Sequence, residues 1–130
     1  MALRLDTHPV HLARGGAAVV LAPFDGMGWY EAYQATHGAD GADGRLVALW
    51  AFEADWQSWE RHPLGEELVV CLSGALTLIQ QLADGSEQRI VLRAGDYAIN
   101  PAGIWHTADV TEPAQALFVT PGFGTEQRPR

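Results

Sequence analysis

No lysine occurs among the 130 residues; all eight basic residues are arginine. That absence excludes Schiff-base chemistry and any phosphate loop that depends on a lysine. Cysteine is nearly absent as well. The single Cys71 rules out an intrachain disulfide and fits a reducing compartment. It lies in the apolar run Leu68-Val69-Val70-Cys71-Leu72, where a thiol reads as a small buried hydrophobe rather than a nucleophile. No apolar run approaches a membrane span, and Met1 to Arg14 mixes His, Asp, Pro and Arg without a long apolar block. Neither a signal peptide nor a membrane partner is therefore expected, and the cytoplasm is the expected location. The formal charge of −8 comes with no basic stripe. Such a chain repels phosphate backbones, so nucleic acid is not an expected partner.

Long helix signals are scarce too. What the sequence has is 48% apolar residues, enough for one core, in short β-like runs separated by Gly, Asp and Pro. Candidate strands are Ala17–Leu21, a weakly alternating Trp29–Gln34, and Arg45–Phe52, apolar enough to be covered on both faces. Leu68–Leu72 and Ala75–Leu82 flank Ser73-Gly74 as a hairpin would. Arg89–Leu92, Tyr97–Ile99 and Ala116–Val119 complete the set, and Pro121–Arg130 reads as a surface strap. Many short strands with turns between them predict an all-β sandwich or barrel. We read one domain over 1–130, with N-terminal strands in 1–55, a barrel core in 56–120 and a tail in 121–130.

His8, His11 and His37 sit near prolines or glycines in the N-terminal third and are read as solvent-exposed. The segment Trp59-Glu60-Arg61-His62-Pro63-Leu64-Gly65-Glu66-Glu67 differs. Strand alternation points Glu60 and His62 the same way, with Trp59 and Arg61 opposite. After a turn at Pro63–Gly65, Glu67 opens a strand close enough to return toward His62, while Glu66 faces away. In Pro101-Ala102-Gly103-Ile104-Trp105-His106 a second turn delivers a histidine at a strand start, with Trp105 facing outward. Two imidazoles with one or two carboxylates suit a borderline divalent metal (Fe, Mn, Ni, Co or Zn) and resemble a two-His-one-carboxylate site. Trp50 and Phe52 share one face of their strand and are candidates to line a small-molecule pocket, or simply to fill the core.

These segments resemble the two motifs of the cupin superfamily. His62, four residues, Glu67, six residues and Gly74 match the latter part of the first motif; Gly95, Pro101, Gly103 and His106 match the second in register. Glu60 stands where the family usually has its first histidine, and Val110 where the second motif ends in Asn. The resemblance implies a double-stranded β-helix, or jelly-roll barrel, with His62, Glu67 and His106 as metal ligands. It leaves Glu60 as a fourth ligand or a pocket base, and so as the candidate catalytic residue. It also implies a homodimer, since exposed sheet edges need cover.

Three function classes stay open on the sequence. One is a metal-dependent enzyme of dioxygenase, isomerase or lyase type acting on a small oxygenated molecule, one is a non-catalytic small-molecule sensor or carrier, and one is a metal-free barrel acting through protein contacts.

Overall fold

The computed structural model describes residues 1–130. Its elements are β1 (Val10–Leu12), β2 (Ala18–Val20), α1 (Met27–His37), β3 (Arg45–Phe52), β4 (Ser58–Arg61), β5 (Glu67–Gln81), β6 (Glu87–Arg93), β7 (Tyr97–Asn100), β8 (Trp105–Pro121) and β9 (Glu126–Pro129). All strand pairs are antiparallel. The long strands β5 and β8 lie side by side and bend, so that their halves belong to different sheets. The first half of β5 pairs with β7 and the second with β6. The late half of β8 pairs with β3, and its start meets β4 through Glu60 and His106. One sheet therefore runs β2-β1-β3-β8-β5-β7, and the other β6-β5-β8-β4-β9. This is the expected jelly-roll barrel.

Alternation decides what lies inside. Val69, Leu76, Leu78, Leu92, Ala98, Ala108 and Phe118 point inward from the two sheets and form the main core. Each of the fully buried leucines contributes on the order of 2 kcal/mol through the apolar area it removes from water.

Four expectations are corrected. Ser73-Gly74 is not a hairpin. β5 continues through it, because Gly74 takes φ +70 and lets the strand shift register against β8 as it passes from one sheet to the other. Trp29–Gln34 is not a strand but part of α1. Trp29 and Tyr33, four residues apart, are the buried pair, and they pack with Leu21, Leu46 and Phe123. The weak alternation concealed this helical spacing. Tyr33 stacks on Trp29 at 5.4 Å and on Phe123 at 5.1 Å between ring centroids. It is admitted by Gly122, where a β-carbon would lie 2.5 Å from the tyrosine oxygen.

β3 has the expected bounds but is not covered on both faces. Leu46 and Ala48 are buried, whereas Val47 and Leu49 on the outer face are only half-buried. The tail is more than a strap: Phe123 is buried, and β9 pairs along β4 from Ser58↔Pro129 to Arg61↔Glu126. The tail thus covers the end of the barrel where the candidate ligands gather.

Candidate metal centre and ligand cavity

Each candidate ligand is placed by strand register. His106 is flanked by Glu60 on β4 and Gln80 on β5, and all three side chains share the inward face. Glu67 is paired with Asn100 of β7. His62 follows directly on β4, and its carbonyl accepts a hydrogen bond from the Gly103 N–H at 3.1 Å. That bond ties the turn after His62 to the turn before His106, so the two motif segments are held together as one unit.

The expected residues converge. His62 Nε2 and His106 Nε2 each lie 3.2 Å from one oxygen of the Glu67 carboxylate. The donor atoms of Glu60, His62 and His106 all lie within 4.8 Å of one another. His62, Glu67 and His106 are buried, and Glu60 is half-buried beside them. Glu66 is exposed and takes no part.

Neighbouring side chains aim this set. The Asn100 amide donates to Glu67 Oε1 at 2.9 Å, and Thr120 Oγ1 donates to Oε2 at 2.7 Å. Gln80 donates to Asn100 Oδ1 at 2.9 Å and so fixes which way the asparagine points. His62 Nδ1 is engaged by Thr125 Oγ1 at 2.9 Å, which leaves Nε2 directed inward. Gln127 donates to Glu60 Oε1 at 3.0 Å. Burial alone would raise the Glu67 carboxyl, but the two imidazoles, His106 foremost, more than offset it and hold the group well below the ordinary carboxylate range.

His62 Nε2 and both ring nitrogens of His106 are buried without a hydrogen-bond partner. Leaving such atoms unpaired costs free energy, unless a further group takes their lone pairs. Two inward imidazole nitrogens converging on an ionised carboxylate form a donor set that a borderline divalent ion fits. The supporting bonds from Thr125, Asn100 and Thr120 are the outer contacts such ligands usually require.

Above the set lies a cavity of about 670 Å³. Trp50 and Phe52 line it, as their shared strand face suggests, together with Leu46, Ala48, Trp56 and Phe118. α1 contributes Met27, Tyr30 and Gln34, and the tail contributes Phe123, Thr125 and Gln127. No arginine lines it. Burial, together with the Glu60 charge, raises the Tyr30 phenol above its ordinary range. Trp56 has a buried indole N–H with no protein acceptor. Trp105 lies on the opposite face of its strand, with Arg61 and Arg128 over its ring at 4.5 and 4.4 Å.

Sequence reasoning missed Asn100, Thr120, Thr125 and the α1 residues. Asn100 was readable as the residue before the turn that delivers His106. Thr120 and Thr125 carry no local signal, since their partners lie 53 and 63 residues away. The expectation that His8, His11 and His37 are exposed is also corrected. His11 is 0% exposed, and His8 and His37 are half-buried.

Comparison with known proteins agrees with this fold. Residues 48–120 match the family model described as a cupin domain. No curated protein sequence matches the chain at a significant level. Among solved structures the chain is similar to a conserved protein with a double-stranded β-helix domain from Klebsiella pneumoniae, at 25% identity, TM-score 0.54, covering 66% of this chain and 76% of that one. It is similar in fold to hydroquinone 1,2-dioxygenase from Sphingomonas sp. TTNP3, solved with 4-hydroxybenzoate bound, at 19% identity and TM-score 0.51 over 58% of each chain. It therefore spans only 58% of that dioxygenase chain. It is likewise similar in fold to the oxalate decarboxylase of Bacillus subtilis, which has Mn(II) centres, at 18% identity and TM-score 0.56, covering 74% of this chain and 26% of that one. With the family model matched over more than half of its length, this chain belongs to the cupin-domain family.

Proposed function

We propose that this protein holds one divalent metal ion on His62, Glu67 and His106, with Glu60 beside it, and binds a small, planar, oxygen-bearing molecule in the cavity above. The observation that carries this reading is the convergence of buried, unpaired imidazole nitrogens on the Glu67 carboxylate. A divalent ion bound there supplies a Lewis acid at the cavity floor. Everything else falls to the chain's own residues. Trp50, Phe52, Trp56 and Phe118 offer apolar area and ring faces to a planar ligand. Glu60 is hydrogen-bonded to only one protein donor and borders the cavity, so Oε2 can accept a proton from the ligand. No arginine lines the cavity, and the two glutamates offset the charge of a divalent ion, so no positive charge is left over to hold an anion and a neutral ligand is favoured. Dioxygenase, isomerase and lyase reactions are the classes proposed for this site.

The ligand class is tested by titrating the purified protein with a neutral phenol and following tryptophan fluorescence. Saturable quenching is expected, and Phe52→Ala should weaken binding by about tenfold, the loss of roughly 1.5 kcal/mol of buried aromatic contact. Tighter binding of a carboxylated analogue to the metal-free protein would contradict the reading.

We also infer a homodimer. On the outer face of the β2-β1-β3-β8-β5-β7 sheet, register aligns Val20, Val10, Val47, Val119, Leu68 and Ile99 in one row. Leu49, Leu117, Val70 and Tyr97 form the next. Val20, Tyr97 and Ile99 are 55%, 64% and 48% exposed in the single chain. An apolar sheet face of this extent is what a two-fold symmetric partner covers. Light scattering should give twice the 14.1 kDa chain mass, and Ile99→Glu should return it to the single-chain value. A monomeric wild type would contradict the inference.

A further inference from the structure

A second group of metal-binding side chains lies outside the cavity. His11 on β1, His37 in the last turn of α1 and Asp40 in the 3-10 turn Gly38–Asp43 have donor atoms all within 4.8 Å of one another. His37 and Asp40, three residues apart, are carried by consecutive helical turns, and both face His11 across the gap between helix and sheet. The His11 and His37 rings lie 4.3 Å apart between centroids. His11 Nε2 is 2.7 Å from Asp40 Oδ2, and His11 Nδ1 is 2.7 Å from the Tyr33 hydroxyl.

We propose that His11, His37 and Asp40 form a second divalent-cation site, for a borderline ion such as zinc or cobalt, which fastens α1 to β1. Two imidazoles and one carboxylate from three separate elements are the ligand types these ions select, and a water completes the set. His11 is already positioned as a ligand. It is fully buried, its ring is packed so closely against Gly44 that a β-carbon there would come within 2.8 Å of Cε1, and Tyr33 holds its far nitrogen. That last contact is the kind that fixes the orientation of a ligating imidazole. The other two ligands can move to meet an ion. The Asp40 side chain is 24% exposed, His37 is half-buried, and His37 makes no side-chain hydrogen bond that would have to break. The turn that carries Asp40 is itself held, with Arg14 donating to the Ala39 and Asp40 carbonyls at 3.4 and 3.2 Å. On binding, the ion takes the place of the proton shared between His11 Nε2 and Asp40 Oδ2. The neutral His11 ring keeps its single proton, now on Nδ1 and donated to the Tyr33 oxygen, so that Nε2 is free to ligate and the ring releases no net proton.

The site is also near enough to matter to the cavity. Tyr33 lies on the same helix as Met27, Tyr30 and Gln34, which form part of the cavity wall. An ion at the end of α1 would therefore hold that wall in place.

The test is titration of the chelator-treated protein, carrying no affinity tag, with cobalt(II), followed by visible absorption and calorimetry. The proposal expects two equivalents on the wild type, one on His37→Ala, one on Asp40→Asn, and one remaining on the double variant His62→Ala/His106→Ala. Loss of that remaining equivalent when His37→Ala is added would complete the assignment. Saturation of the double variant at zero equivalents, or titration curves for His37→Ala and Asp40→Asn that match wild type, would overturn it. Because the double variant removes the central ligands, its result is independent of whether the central site binds metal.

Discussion

Gly74→Ala should leave almost no folded protein, with a loss of stability of at least about 3 kcal/mol in whatever remains soluble. A β-carbon at this position would sit 2.0 Å from the Pro113 carbonyl oxygen and 2.9 Å from the Ala114 α-carbon. These are backbone atoms of β8, the strand that pairs with β5 on both sides of Gly74, so the neighbour cannot turn aside as a side chain could. The φ of +70 adds the usual penalty for a non-glycine residue in the left-handed region. The only relief is separation of β5 from β8, the pair on which both sheets depend. Gly85→Ala provides the control. Its φ is +86, but its β-carbon would meet nothing within 4 Å, so it carries the conformational penalty of about 1 kcal/mol alone. Urea unfolding of the two variants should separate clearly. Near-equal midpoints would mean that the close approach at Pro113 does not govern the crossing.

The contrast between these two glycines shows what was legible in the sequence. Gly74 reads as a turn residue, and nothing local distinguishes it from a glycine such as Gly85, which no distant strand presses against. Reading Ser73-Gly74 as a hairpin failed for that reason: the signal for a left-handed residue was real, but the pairing that used it lay some forty residues away in β8. The site fared better because its spacing is short-range. Strand alternation brought Glu60 and His62 to one face, and turns at Pro63–Gly65 and Pro101–Gly103 delivered Glu67 and His106. The residues that orient those ligands come from β7, the end of β8 and the tail, and only folding brings them near. His11 is the extreme case. Its partners Tyr33 and Asp40 lie 22 and 29 residues away, and Tyr33 sits in a helix that the weak alternation disguised as a strand.

The second large effect concerns Glu67. Glu67→Ala should lower divalent-metal affinity at the central site by at least about 100-fold, more than the loss of one outer-contact residue would. It removes the only carboxylate that touches both imidazoles. It also leaves the Asn100 amide and the Thr120 hydroxyl without their acceptor, each a buried or part-buried donor whose loss of a partner costs on the order of 1 kcal/mol. Glu67→Gln separates the two effects. It keeps the side-chain volume and one acceptor oxygen for folding but removes the charge that a metal needs, so its stability should stay nearer wild type while its metal affinity falls with that of the alanine variant. A glutamine variant that binds metal as wild type does would exclude the Glu67 carboxylate from the ligand set.

The most direct test of the central claim is the metal content of the protein purified without chelator and without a histidine tag, measured by mass spectrometry, with all variants built on His37→Ala so that only the cavity site is counted. Near one divalent ion per chain in that background, falling to background levels on adding His62→Ala or His106→Ala, is the expected result. A protein that carries no metal and cannot be loaded with manganese, iron, cobalt, nickel or zinc would contradict it. The unpaired imidazoles would then belong to the polar wall of a ligand-binding barrel.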